Sequence, residues 1–128
     1  MAQWAINEND LENKEVLAKR PIDRAHLAKQ CLGDANLELE ILRLFDTTIK
    51  TYYERLRLAA DYDGMATNLH AIKGASAGVG AFEVTELARQ LERDLQAMRP
   101  LTTEQLDDLG MAVEEVRTTI AEILSEAE

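Results

Sequence analysis

The sequence predicts an all-α protein, an antiparallel up-and-down four-helix bundle with a short additional N-terminal helix covering one end. Three observations carry that expectation. Apolar residues recur at alternating spacings of three and four in successive segments, the period of a helix seam. Prolines and glycines punctuate those segments, so the connections are short and neighbouring helices run antiparallel. The residues are 46% hydrophobic but only 5% aromatic, an Ala- and Leu-rich mix that suits helix packing better than a β-sandwich.

Residues 1–20 are polar and weakly patterned and read as an N-terminal extension, partly ordered or helical. It holds either a short helix near Asp10 to Lys19 or an arm whose Trp4 and Ile6 pack onto the bundle, which itself spans 21–128. After Pro21, Asp23 is the expected N-cap of a short helix ending at Gly33. From Asn36 to Ala60 the seam is Leu42, Phe45, Ile49, Tyr52, Leu56 and Ala59. Asp61, Asp63 and Gly64 then read as a turn. The next helix is expected from Met65 to Ala77, with Met65, Leu69, Ile72, Ser76 and Val79 inward and Gly78 and Gly80 as its stop. Ser76 in that stripe is expected to bond back to the Ile72 carbonyl. A helix from Phe82 to Met98 follows, with Val84, Leu87, Ala88, Leu91, Leu95 and Met98 on one side. Pro100 breaks it, Thr102 and Gln105 form a capping box, and Leu106, Leu109, Val113, Val116, Ile120 and Ile123 make the last seam.

Charge and composition narrow the function. A chain of 128 residues makes one domain, and its formal charge of −10 repels nucleic acid and anionic membrane. The single cysteine, Cys31, excludes an internal disulfide and fits a reducing compartment. No apolar run approaches a membrane span, and MAQWAINENDLENK lacks the basic start and apolar stretch of a signal peptide. The expected location is therefore the cytoplasm, and the expected state a monomer.

One stretch departs from ordinary amphipathic design. Leu69 to Gly80 reads LHAIKGASAGVG, in which half of the twelve positions are Gly or Ala. His70 lies about 140° from the centre of its helix's apolar stripe and should face solvent. Its same-face neighbours Ala66, Gly74 and Ala77, with Thr67 and Gly78 beside them, are all small, and Lys73 is the one long side chain close by. A neutral imidazole is a good nucleophile near neutral pH, and a phosphoryl group on it stays activated for onward transfer. Transfer requires in-line approach and charge neutralisation. A cleared surface permits the first, and Lys73 offers the second.

These residues resemble the histidine phosphotransfer (HPt) domains of multistep two-component signalling. The family pattern of His, two residues, Lys-Gly, two small residues and a Gly ten positions after the His matches His70, Lys73, Gly74, Ala75, Ser76 and Gly80, and Leu91-Glu92 falls where the family has a Leu-Glu or Leu-Gln pair. The likeness runs from about Pro21 through PIDRAHLAKQCLGD to the C terminus. It implies that His70 accepts the phosphoryl group on Nε2, that Lys73 stabilises it, and that Glu92 bonds the imidazole and fixes its orientation. Where some members carry Ser, this chain has Ala75. Ala66, Thr67, Gly74, Ala77, Gly78 and Arg89 are the candidate docking residues. The implied partners are receiver domains of response regulators and hybrid histidine kinases, with Mg²⁺ supplied by the receiver and no cofactor in this chain. No Gly-rich phosphate loop adjoins a strand, so the domain is expected to bind no ATP and to be a phosphocarrier, not an enzyme.

Two other classes of function fit the residues less well. A carboxylate-bridged metal bundle needs Glu-x-x-His, and neither His26 nor His70 has Glu three positions earlier. A helical interaction module that binds signalling partners without carrying phosphate accounts for the seams, but not for His70 and Lys73 on a cleared face.

Overall fold

The computed structural model describes residues 20–127, so the expectations for Trp4, Ile6 and a helix at Asp10 to Lys19 lie outside the described residues. Five helices follow one another: α1 (Arg24–Gln30), α2 (Ala35–Leu58), α3 (Tyr62–Val79), α4 (Phe82–Gln96) and α5 (Thr103–Glu126). α2 to α5 form the antiparallel up-and-down bundle and α1 closes one end. Four of the starts are fixed by side chains that satisfy otherwise unpaired amides of the first turn. Asp23 accepts from the His26 amide (3.1 Å), Asp34 from Leu37 (3.1 Å), Asp61 from Gly64 (2.8 Å) and Thr102 from Gln105 (3.0 Å). The Gln105 side chain returns a bond to the Thr102 amide at 2.9 Å, completing the expected capping box.

Between the helices lies one apolar core. α2 contributes Leu42, Phe45, Ile49 and Leu56; α3 contributes Leu69, Ile72 and Val79; α4 contributes Val84, Ala88, Leu91 and Leu95. Leu109, Val113, Val116, Ile120 and Ile123 come from α5, while Ile22, Leu27 and Cys31 seal the α1 end. Each large aliphatic side chain buried this way contributes about 1.5 to 3 kcal/mol. Burial, then the neighbouring charges of Glu38 and Asp34, push the Cys31 thiol above its ordinary pKa, which suits a packing role. Polar contacts fix the α2–α5 edge: Arg57 pairs with Asp107 at 2.6 Å, Arg117 with Asp46 at 3.0 Å, and the Tyr53 hydroxyl donates to the Leu106 carbonyl at 2.8 Å. At the bend between α4 and α5, the Gln105 amide (2.8 Å) and Arg99 (3.1 Å) hydrogen-bond the Asp94 carboxylate and hold it below its ordinary pKa.

Several boundaries differ from the sequence reading, for local reasons. The Asp61–Gly64 stretch is not a separate turn. Asp61 caps α3, which starts at Tyr62 and runs through Gly78 to Val79. The C-terminal ends of α1, α3 and α4 share one geometry, in which an amide bonds a carbonyl five residues back: Gly33 to Ala28, Ala81 to Ser76, Arg99 to Asp94. The residue before each donor is left-handed, and it is glycine only once: Leu32 (φ 53), Gly80 (φ 83) and Met98 (φ 60). Helix α1 therefore stops at Gln30 instead of Gly33, and α4 stops at Gln96. Met98, expected on the α4 seam, is turned out of it and is 80% exposed.

Gly80 is glycine for a second reason. Its carbonyl accepts from the Asp23 amide at 2.9 Å, and a Cβ there would stand 2.8 Å from the Asp23 carbonyl oxygen. The strand of chain entering α1 is thus seated directly on the α3–α4 connection.

Candidate functional site

Helices α3 and α4 position the site. Leu69, Ile72 and Ser76 turn one face of α3 into the core, which leaves His70 on the opposite face with its side chain 75% exposed. Lys73, three residues on, leans toward α4. Leu91 and Leu95 anchor the facing stretch of α4, and Glu92 projects from its flank with only 13% of its side chain exposed.

Glu92 joins the other two. Its Oε2 lies 3.4 Å from His70 Nδ1, and its Oε1 lies 2.6 Å from Lys73 Nζ. Oε1 is closed off from solvent, so the ammonium offsets its desolvation through an ion pair rather than an aligned hydrogen bond. With Nδ1 protonated, the imidazole donates toward Oε2, and Nε2 is the ring nitrogen Glu92 does not engage. A contact of 3.4 Å is long for a hydrogen bond and has room to shorten as positive charge develops on the ring.

The surroundings are low. A Cβ added at Gly74 or Gly78 would meet nothing within 4 Å. Thr67, Gly74 and Gly78 are exposed, while Ala66 and Ala77 are half-buried. Arg89, one turn before Glu92, is exposed and pairs with Glu86 at 2.7 Å. His26, the second histidine of the sequence, is half-buried and meets the Phe82 ring edge-on, centroids 5.0 Å apart. Among the described residues, no group of three or more His, Cys, Asp or Glu could hold a metal ion, and no helix is long and apolar enough to cross a membrane.

Two features escaped the sequence reading. Ser76 is buried as expected, but its hydroxyl reaches the Lys73 carbonyl (3.1 Å) instead of that of Ile72, and it meets the Thr85 hydroxyl of α4 at 2.8 Å. Nothing in the spacing pairs those two hydroxyls. The Lys73–Glu92 pair is the second, because helical angles do not say which flank of one helix faces which side of its neighbour.

Residues 40–125, which include all three site residues, match a family model described as Hpt domain. The crystal structure of the HPT domain from an Hpt sensor hybrid histidine kinase from Shewanella superposes with a TM-score of 0.73 at 20% sequence identity. That likeness, one of fold, covers 84% of this chain and 96% of the other. No match emerged among curated proteins.

Proposed function

The chain belongs to the Hpt, or histidine phosphotransfer, domain family and is a phosphocarrier between receiver domains, and from that premise we propose that the phosphoryl group travels on His70. The observation that carries this reading is the environment of the ring: exposed, tied at Nδ1 to a carboxylate, and flanked by positions with nothing above them.

The chemistry follows from that geometry. The Nε2 lone pair attacks the phosphorus of a receiver's aspartyl phosphate, the Nε2–P bond forms, and the breaking P–O bond returns its electron pair to the aspartate carboxylate. The ring keeps its Nδ1 proton and takes up positive charge, which the Glu92 carboxylate offsets. Lys73 offsets the phosphoryl charge, and Mg²⁺ comes with the receiver. Onward transfer reverses these steps with a second aspartate. Thr67, Gly74 and Gly78, with Ala66 and Ala77 at the margins and Arg89 on α4, form the docking surface. We assign the domain to the cytoplasm as a monomer, in keeping with its net charge of −10 and single buried thiol.

The deciding experiment is incubation with a phosphorylated receiver, followed by detection of acid-labile phosphate on the chain. His70→Gln should remain folded and accept none, since the exposed ring contributes little packing. Full acceptance by that variant would move the site to His26 and end the assignment.

A further inference from the structure

The tightest polar contact at the site is the 2.6 Å pair between Lys73 and Glu92, so the ammonium is already engaged by the carboxylate that faces His70 Nδ1. Glu92 sits at the Nδ1 edge of His70, whereas the phosphoryl group would be bonded to Nε2, across the ring. A phosphoryl group on Nε2 would offer the same ammonium a second and more highly charged partner.

We propose that Glu92 is a competing partner for Lys73: the ammonium rests on Glu92 in the unphosphorylated domain and crosses to the phosphoryl group when Nε2 is modified. The inference rests on His70 as the phosphoacceptor. Its physical merit is that no buried charge is ever left alone. Before transfer, Glu92 is offset by Lys73. After transfer, the ring has gained a positive charge beside the same carboxylate, so Glu92 turns to Nδ1–H while Lys73, on its flexible four-carbon stem, takes the phosphoryl oxygens. Each charge exchanges one partner for another.

The exchange has a function. Because this exchange breaks the resting pair, Glu92 opposes the stabilisation that Lys73 would otherwise give to phosphohistidine. The phosphoryl group is then held less firmly and is more readily passed on, as an intermediate between two aspartates requires. Glu92 is thus a positioning residue acting through Lys73 as well as through the ring.

The test is a double-mutant cycle read as an equilibrium. The domain is mixed with a phosphorylated receiver, and the ratio of phosphohistidine to receiver phosphoaspartate is measured for the parent, Glu92→Gln, Lys73→Ala and the double variant. Glu92→Gln keeps the shape of the side chain but releases the ammonium. The substitution should favour phosphohistidine about fivefold or more when Lys73 is present, relative to its effect in the Lys73→Ala background. The sign decides. If Glu92 instead aimed Lys73 at the phosphate, the cycle would run the other way, and if it acted on the ring alone the two effects would be equal; either result overturns the proposal.

A direct readout accompanies the cycle. The side-chain ¹⁵N signal of Lys73 should move when the parent is labelled with phosphoramidate, and in unlabelled Glu92→Gln it should already be that of a solvated lysine. A Lys73 signal indifferent to both changes overturns the proposal. If phosphoramidate labels the parent elsewhere than His70, the phosphoacceptor reading fails first and the inference falls with it.

Discussion

Gly74→Leu separates access to the site from stability of the fold. Gly74 lies one turn beyond His70 on the exposed face of α3, and a Cβ there meets nothing within 4 Å, so no atom has to move. Replacing an interior helical Gly by Leu gains roughly 0.7 kcal/mol of helix propensity. For a domain of this size that raises the melting temperature by about 3 °C. The leucine nevertheless stands several ångströms above a surface that a receiver must approach closely enough to bring its aspartyl phosphate in line with Nε2, where misplacement by about 1 Å costs on the order of 100-fold in rate. Two assays are needed: thermal unfolding, and transfer from a phosphorylated receiver set beside labelling by phosphoramidate. The expected result is a slightly higher melting temperature, receiver transfer reduced by about 100-fold or more, and phosphoramidate labelling close to parental. Parental exchange with the receiver would show that the small residues around His70 do not clear a docking surface.

Two further substitutions test the frame. Gly80→Ala should destabilise by about 2 to 4 kcal/mol, of which about 1 comes from a left-handed backbone that Leu32 and Met98 also tolerate and the rest from the collision with the Asp23 carbonyl; chemical denaturation reads it, and parental stability would refute the collision. Asp94→Asn concerns acid. A carboxyl held below its ordinary pKa by Gln105 and Arg99 contributes stability that is present above the unfolded-state pKa and is lost as pH falls through the folded value. The variant should be less stable than the parent near neutrality, and the gap should close from about pH 5 downward. A gap independent of pH would sink this reading.

The seams were legible because they are averages over many residues: Leu42, Phe45, Ile49 and Leu56 face the core whatever happens at the ends of their helix. Ends are decided by single bonds, and there the sequence misled. Asp61-x-Asp63-Gly64 has the composition of a turn, yet Asp61 accepts the Gly64 amide and opens a helix. Met98 fits the α4 period, but its backbone leaves that period at φ 60. At the site, the exposure of His70 and the emptiness above Gly74 follow from one helix alone, so one helix's period foretold them. The placement of Glu92 depends on how two helices are rotated and staggered, which no single period contains.

That stagger is measured out from a hydroxyl pair buried between α3 and α4. Ser76 and Thr85 share three short contacts, to each other and to the Lys73 and Ala81 carbonyls, and possess only two hydroxyl hydrogens, so the pair is bound to its place even though one contact must always go without a proton. Count back six residues along α3 and the helix has descended about 9 Å, to His70; count forward seven along antiparallel α4 and it has descended about 10.5 Å, to Glu92. The two hydroxyls are the zero mark of a ruler on which the ring and its carboxylate come out level. A slip of one turn, about 5.4 Å, would part the two hydroxyls, leaving each only the carbonyl of its own helix, and carry Glu92 out of reach of His70 and Lys73 together. The alignment of His70, Lys73 and Glu92 is therefore keyed to two hydroxyls buried between the helices.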